Sequence, residues 1–94
     1  MKYHVIWTPA AEQELASVWM NAVVRNTVTS AAHTIDMLLS QDPETRGTSR
    51  FDSVRTLTVP PLGVDFEVVA ADRFVYVLSV WYSPPGSVNG AGSP

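Results

Sequence analysis

The side chains with the most chemical reach in this sequence are its few cations and its late aromatics. The six basic residues are Lys2, Arg25, Arg46, Arg50, Arg55 and Arg73. Arg46 and Arg50 lie in a polar segment, Arg55 lies in the apolar-alternating stretch that follows, and Trp81 and Tyr82 close the last apolar run. Arginine binds phosphate bidentately and aromatic rings stack on bases, so these residues gathered on one concave sheet face would have the chemistry of an RNA contact. The competing arrangement puts Trp81 in the core and pairs the arginines with Asp52, Asp65 and Glu67. Asp65 and Glu67 stand two apart and share a strand face. Two ionised carboxylates there need either water or an arginine across from them, and Arg55 and Arg73 are the candidates. His4 is a general base if it faces a cleft and a plain polar residue of the sheet if it does not; the second reading is favoured. His33 and Asp36, at i,i+3 spacing on a helix, could share a ligand, but they read better as a solvated helix face. The five glycines form neither a Walker loop nor a dinucleotide fingerprint, and the serines show no G-x-S-x-G. Neither a cofactor nor a metal is expected.

These residues must be positioned by short elements. Tyr3, Val5 and Trp7 alternate on one face of a first strand. Thr8-Pro9 then reads as a helix start, with Thr8 as cap and Pro9 in the first turn. The stripe Ala11, Leu15, Val18, Trp19, Ala22 and Val23 predicts a helix over Pro9–Arg25. Thr27 suits the cap of a second helix with the stripe Val28, Ala31, Ala32, Ile35, Leu38 and Leu39, which Asp42-Pro43 ends. Gln41–Ser49 is polar, breaks at Gly47 and reads as a loop. Val54–Val59, Val64–Val69 and Phe74–Trp81 are strands, joined by a Pro60-Pro61-Leu62-Gly63 turn and an Ala70–Arg73 turn, hence an antiparallel meander. Trp19, Leu15, Ile35 and Leu39 are expected to be buried against Leu78.

The fold class is therefore α+β with the order β-α-α-β-β-β, a helical hairpin packed on one face of a mainly antiparallel four-stranded sheet. Residues 1–83 form one domain, and residues 84–94, nearly all Pro, Gly, Ser and small side chains, read as a flexible tail that buries too little to offset its ordering entropy. A chain of 94 residues that is 46% hydrophobic and only 16% charged is neither disordered nor a coiled coil. No apolar run approaches the length that spans a bilayer, and Met1-Lys2-Tyr3-His4 lacks a signal-peptide layout, so no membrane contact is expected. With no cysteine the domain rests on its core alone, which fits a reducing, cytoplasmic setting. A net charge of −3 argues against a general, charge-driven nucleic-acid binder.

Tyr3–Trp7 followed by Thr8-Pro9-Ala10-Ala11-Glu12-Gln13-Glu14-Leu15 resembles the opening of the RelE/ParE superfamily of toxins from type II toxin–antitoxin systems. The resemblance continues through the hairpin ending at Asp42-Pro43, then Ser49-Arg50, Val54-Arg55-Thr56-Leu57, Pro60-Pro61-Leu62-Gly63-Val64 and Asp72-Arg73-Phe74-Val75-Tyr76-Val77-Leu78-Ser79-Val80-Trp81. It implies a toxin-like component of such a pair, acting in plasmid stabilisation and bound as a hetero-oligomer to a cognate antitoxin. RelE-like members are ribonucleases that cut mRNA at the ribosome with Lys and Arg on the meander strands and basic and Tyr residues beyond the last strand. ParE-like members poison DNA gyrase without those residues. On the nuclease reading the site would be Arg55, Arg50, Arg73 and Tyr82, with Arg55 matching a basic position of the family. Gly63 stands where the family has an arginine, and Ser83-Pro84 stands where it has a basic residue. The resemblance thus favours ParE-like or attenuated activity, with a ribosome-dependent endoribonuclease or an inactive antitoxin-binding module as the alternatives.

Overall fold

A computed structural model of the chain describes residues 2–84; all but the first residue of the expected tail lies outside them. The elements run β1 His4–Trp7, α1 Pro9–Asn21, α2 Arg25–Gln41, β2 Thr48–Phe51, β3 Val54–Val59, β4 Leu62–Val69, a 3-10 turn Ala70–Asp72 and β5 Phe74–Tyr82. They build a single five-stranded sheet in the order β1-β5-β4-β3-β2. β1 pairs parallel with β5, and every other neighbour pair is antiparallel. The α+β class and the helical hairpin stand as expected. The strand count differs: β2, within what the sequence reads mostly as loop, adds a fifth, fully exposed strand on the edge. Its residues carry no apolar alternation, because an edge strand exposed on both faces needs none.

Thr8 starts α1. Its side chain accepts from the Ala11 backbone N–H at 3.2 Å, with Pro9 in the first helical turn where no intrahelical donor is needed. α1 stops at Asn21, four residues short of the expected end. α2 begins at Arg25 with Val24 as a cap that offers no side-chain hydrogen bond; the Thr27 hydroxyl instead donates back to the Val24 carbonyl at 2.8 Å. β4 begins at Leu62, so only Pro60-Pro61, joined by a cis bond, separates it from β3.

The core lies between the hairpin and the sheet. Ala11, Val28, Ile35 and Leu39 from the helices meet Leu62, Val64, Phe66, Val75, Val77 and Val80 from β4 and β5. Leu15, Val18, Ala22, Val5 and Trp7 pack around them. Trp19 does not join: it is 40% exposed. The reason is helical geometry. Ala11, Leu15 and Val18 already make a stripe at spacings of four and three, and Trp19 is one residue, about 100°, further round, while Val23 lies in the turn beyond the end of α1. Leu78 is also outside the core cluster. Val75 and Val77 face the helices, so alternation already turns Leu78 to the other side, where it is the extra residue of a β-bulge, Asp65 pairing with Ser79 while Phe66 pairs with Val77.

Gly47 and the bulges shape the sheet's far edge. Gly47 has φ of +65°, and a Cβ on it would fall 2.8 Å from the Thr56 carbonyl carbon. It therefore supplies both the left-handed turn and the close backbone approach that bring β2 alongside β3. The burial pattern ranks two substitutions. Phe66, fully buried, should lose about 3–5 kcal/mol on replacement by Ala. Leu78→Ala, at a half-buried bulge position, should lose less than about 2 kcal/mol. Urea unfolding of the two variants measures the order, and Leu78→Ala as the costlier change would contradict the bulge.

Candidate functional site

The sheet face turned away from the helices is the surface to which the sequence could assign chemistry. Cross-strand partners share a face, so the register shows who stands there. Thr56, Asp65 and Ser79 form one row of this face, Thr58, Gly63 and Trp81 the row on one side of it, and Val54, Glu67 and Tyr76 the row on the other. At the β1 end, His4 and Phe74 pair, with ring centroids 5.7 Å apart, and Phe74 lies 6.0 Å from Tyr76.

Asp65 is the charged centre of this face. It is only 8% exposed. The Thr56 hydroxyl donates to one of its oxygens at 2.6 Å, and the Arg50 guanidinium forms an ion pair with the other. Thr48 pairs with Thr56 on the open face and Ser49 with Arg55 on the helix side, so alternation turns Arg50 onto the same face as Asp65. A second bulge there, Phe51 pairing with Val54, leaves Arg50 as the extra residue of β2. The guanidinium carbon also lies 5.6 Å from the Phe51 ring centre. Glu67 has a different partner, the Ser53 hydroxyl at 2.7 Å. The two bulged residues, Arg50 and Leu78, thus flank one buried carboxylate from either side. Neither bulge leaves a mark in hydrophobic periodicity, which is why the sequence did not reveal them.

Trp81 and Gly63 form the second feature. A Cβ at Gly63 would fall 2.5 Å from Trp81 Cε2, so the indole lies directly on the glycine backbone. The ring occupies the space in which any larger residue at 63 would begin.

The structure separates the expected site residues. Arg50 is on the open face and tied to Asp65. Arg55 pairs in register with Phe66 of the core, on the helix side of the sheet. There its Nε donates to the Arg46 carbonyl at 2.8 Å and its Nη2 to the Gly47 carbonyl at 3.1 Å. It clasps the loop that enters β2 and has no carboxylate partner among the described residues, so the expected pairing with Asp65 falls to Arg50 instead. Arg73 precedes β5 in a left-handed conformation, φ 59°, with its guanidinium carbon 5.9 Å from the Tyr3 ring centre. Tyr82 ends the same nine-residue strand, about 25 Å away at the usual strand rise. Arg46 is half-buried, and its Nε makes no hydrogen bond among the described residues. Near Arg73, partial burial and the hydrogen bond it donates to Glu44 push the Tyr3 phenol above its ordinary range. His4 and His33 are exposed. Asp36 accepts from Trp7 Nε1 at 3.1 Å, and the described residues contain no cluster suited to a metal. No helix among them is long and apolar enough to cross a membrane.

No family model matches the chain, and no curated protein matches it. Solved structures do. The RelBE2 toxin–antitoxin complex of Mycobacterium tuberculosis contains a chain that is 15% identical with a TM-score of 0.70, the match covering 87% of this chain and 99% of that one. The chromosomal ParDE system of P. aeruginosa gives 19% identity and a TM-score of 0.68 over 86% and 96%. The intact E. coli RelBE complex gives 13% identity and 0.63 over 85% and 95%. The chain has the RelE/ParE toxin fold.

Two substitutions separate the arginines. Arg50→Ala strands a nearly buried carboxylate, but Arg50 is itself half exposed, so the coupling in a double-mutant cycle with Asp65→Asn should be about 1 kcal/mol and should shrink in salt. Arg55→Ala removes two charge-assisted bonds to backbone and should cost about 1–3 kcal/mol with little salt dependence. A cycle coupling near zero for Arg50 and Asp65 would remove Asp65 as the organising charge of this face.

Proposed function

We propose that the chain is the toxin-like subunit of a type II toxin–antitoxin pair, with ParE-like or attenuated activity in place of ribosome-dependent mRNA cleavage. The observation that carries this reading is the state of the open sheet face. Cleaving RNA by attack of a ribose hydroxyl needs a base, an acid and cations preorganised around one phosphate. Here Arg50 is neutralised by Asp65, Arg55 holds backbone on the opposite side, and Arg73 and Tyr82 stand at opposite ends of β5. Gly63 takes the place of the family's arginine, and Trp81 covers it. The fold shared with RelE and ParE toxins, three of them seen in toxin–antitoxin systems, supports the partner: an antitoxin laid across the hairpin and the open sheet face. Such a segment docks as an amphipathic helix or an added strand, and the exposed edge strand β2 together with Ile6, Phe51 and Tyr76 on the open face offers both kinds of contact.

The chain should slow growth when expressed alone and be silenced by the product of a short neighbouring reading frame, with which it should co-purify. Plasmid supercoiling should change during the arrest, while ribosome-bound message should stay uncut. Recovery of this chain alone from co-expression at high concentration would defeat the antitoxin reading. A defined cut pattern on ribosome-bound message, absent from Arg50→Ala, would restore the nuclease reading. Arg55→Ala is the weaker probe here, because its effect on the β2 loop lowers stability too.

A further inference from the structure

The geometry points to a homodimer joined through the tip of the helical hairpin, an isologous contact between two copies of this chain. The turn between α1 and α2 projects Met20, Val23 and Val24, which are 67%, 100% and 55% exposed. Val23 and Val24 also line a groove of about 620 Å³ between the hairpin tip, the β3–β4 turn and the end of β5, together with Val18, Ala22, Val28, Pro61 and Tyr82. Projection and groove therefore occupy one patch. A patch that carries both the knob and the hole matches a second copy of itself about a two-fold axis, which a partner without the same pairing would not.

Three further observations favour a second copy. The tip is rigid. Arg25 donates to the Trp19 and Met20 carbonyls, each at 3.1 Å, its guanidinium carbon lies 4.8 Å from the Trp19 ring centre, and Trp19 Nε1 donates to the Thr29 hydroxyl at 3.2 Å. The apolar residues are thus presented in a fixed geometry, which keeps the ordering cost of association low. The lining is free of formal charge, and the nearest cation, Arg25, is turned back onto α1. A two-fold contact sets like beside like, so for a chain of net charge −3 an uncharged patch is where two copies meet without repulsion. Finally, Met20, Val23, Val24, Trp19 and Tyr82 are large apolar side chains that all remain exposed in this part of the chain. A contact of so few residues per copy belongs with the smaller specific interfaces, so the dimer should be of micromolar order.

Sedimentation velocity on the purified chain from about 5 to 500 μM tests this. The wild type should pass from monomer to dimer across that range. Val23→Asp should remain monomeric, with unchanged thermal stability below the dimerisation range because Val23 touches only water. Val24→Asp gives an independent readout: Val24 caps α2 without a side-chain bond, so an aspartate there should stabilise the helix while still abolishing the dimer. Ile6→Asp, on the open sheet face, should dimerise like the wild type. A wild type that is monomeric at 500 μM overturns the proposal, as does a dimer that survives both tip variants or is lost only with Ile6→Asp. These outcomes do not depend on whether the chain is a toxin.

Discussion

Everything in this fold hangs on the mismatch between a four-residue strand and a nine-residue one. β5 is an interior strand, with β4 along one side and β1 along the other, but β1 reaches only from Phe74 to Val77. Beyond Val77 the edge of β5 faces no strand, and buried backbone groups left unpaired there would be costly. Thr8 is the residue at which the problem is solved. Its N–H and its hydroxyl both donate to the Val77 carbonyl, at 3.1 and 2.9 Å, while its hydroxyl oxygen accepts from Ala11 at the start of α1. One turn later Glu14 reaches back and accepts from the Val80 N–H at 2.8 Å. The helix thus continues along the edge that the strand leaves, and α1 is held against β5 by hydrogen bonds as well as by Leu15 and Val18.

That coupling explains why the bulge at Leu78 falls where it does. Val77 is the last residue of β5 with a strand on each side, and Leu78 is the first without. An extra residue at that point changes the local twist and lets Val80, not Ser79, return to the helix side. Ser79 then stands opposite Asp65 on the open face. The organisation of that face is therefore a downstream effect of how the first seven residues pair with the last strand. The β2 bulge supplies the counter-charge from the opposite edge. A nearly buried carboxylate is tolerated because a hydroxyl and a guanidinium reach it from two different strands.

The parts of this architecture that were legible from sequence are those governed by periodicity and by local chemistry. Thr8-Pro9 announces α1 because a cap and an N1 proline act on neighbouring backbone. The α2 stripe gave Val28, Ala31, Ile35 and Leu39 correctly because a helix packed squarely on a sheet buries a clean 3.6-residue period. The misses come from geometry that periodicity does not encode. Trp19 and Val23 extend an apolar stripe in the sequence, yet they turn past the contact line, and their exposure follows from the hairpin tip projecting beyond the sheet. β2 has no apolar side to read. The arginines were grouped by proximity in sequence, but alternation sends Arg55 to the helix side of β3 and Arg50 to the open side of β2.

Gly63 and Trp81 show how a cross-strand pair can cover bare backbone with one large side chain. A glycine on β4 exposes bare backbone on the face where the resemblance expects a long cation, and bare backbone on a sheet surface is poorly packed and open to water. The paired position on β5 is Trp81, the largest side chain available, and its ring lies across that backbone. Cross-strand neighbours are the natural place for such a trade, because their Cβ atoms are close enough that one side chain can fill the room of both. The result is a flat, largely apolar indole over that part of the open face. Arg50 is matched there by Asp65, and Glu67 accepts from the Ser53 hydroxyl, so the charged groups of this face are held by neighbouring side chains. Under the function proposed above, a surface built this way would serve contact with another polypeptide rather than stabilisation of a developing phosphorane.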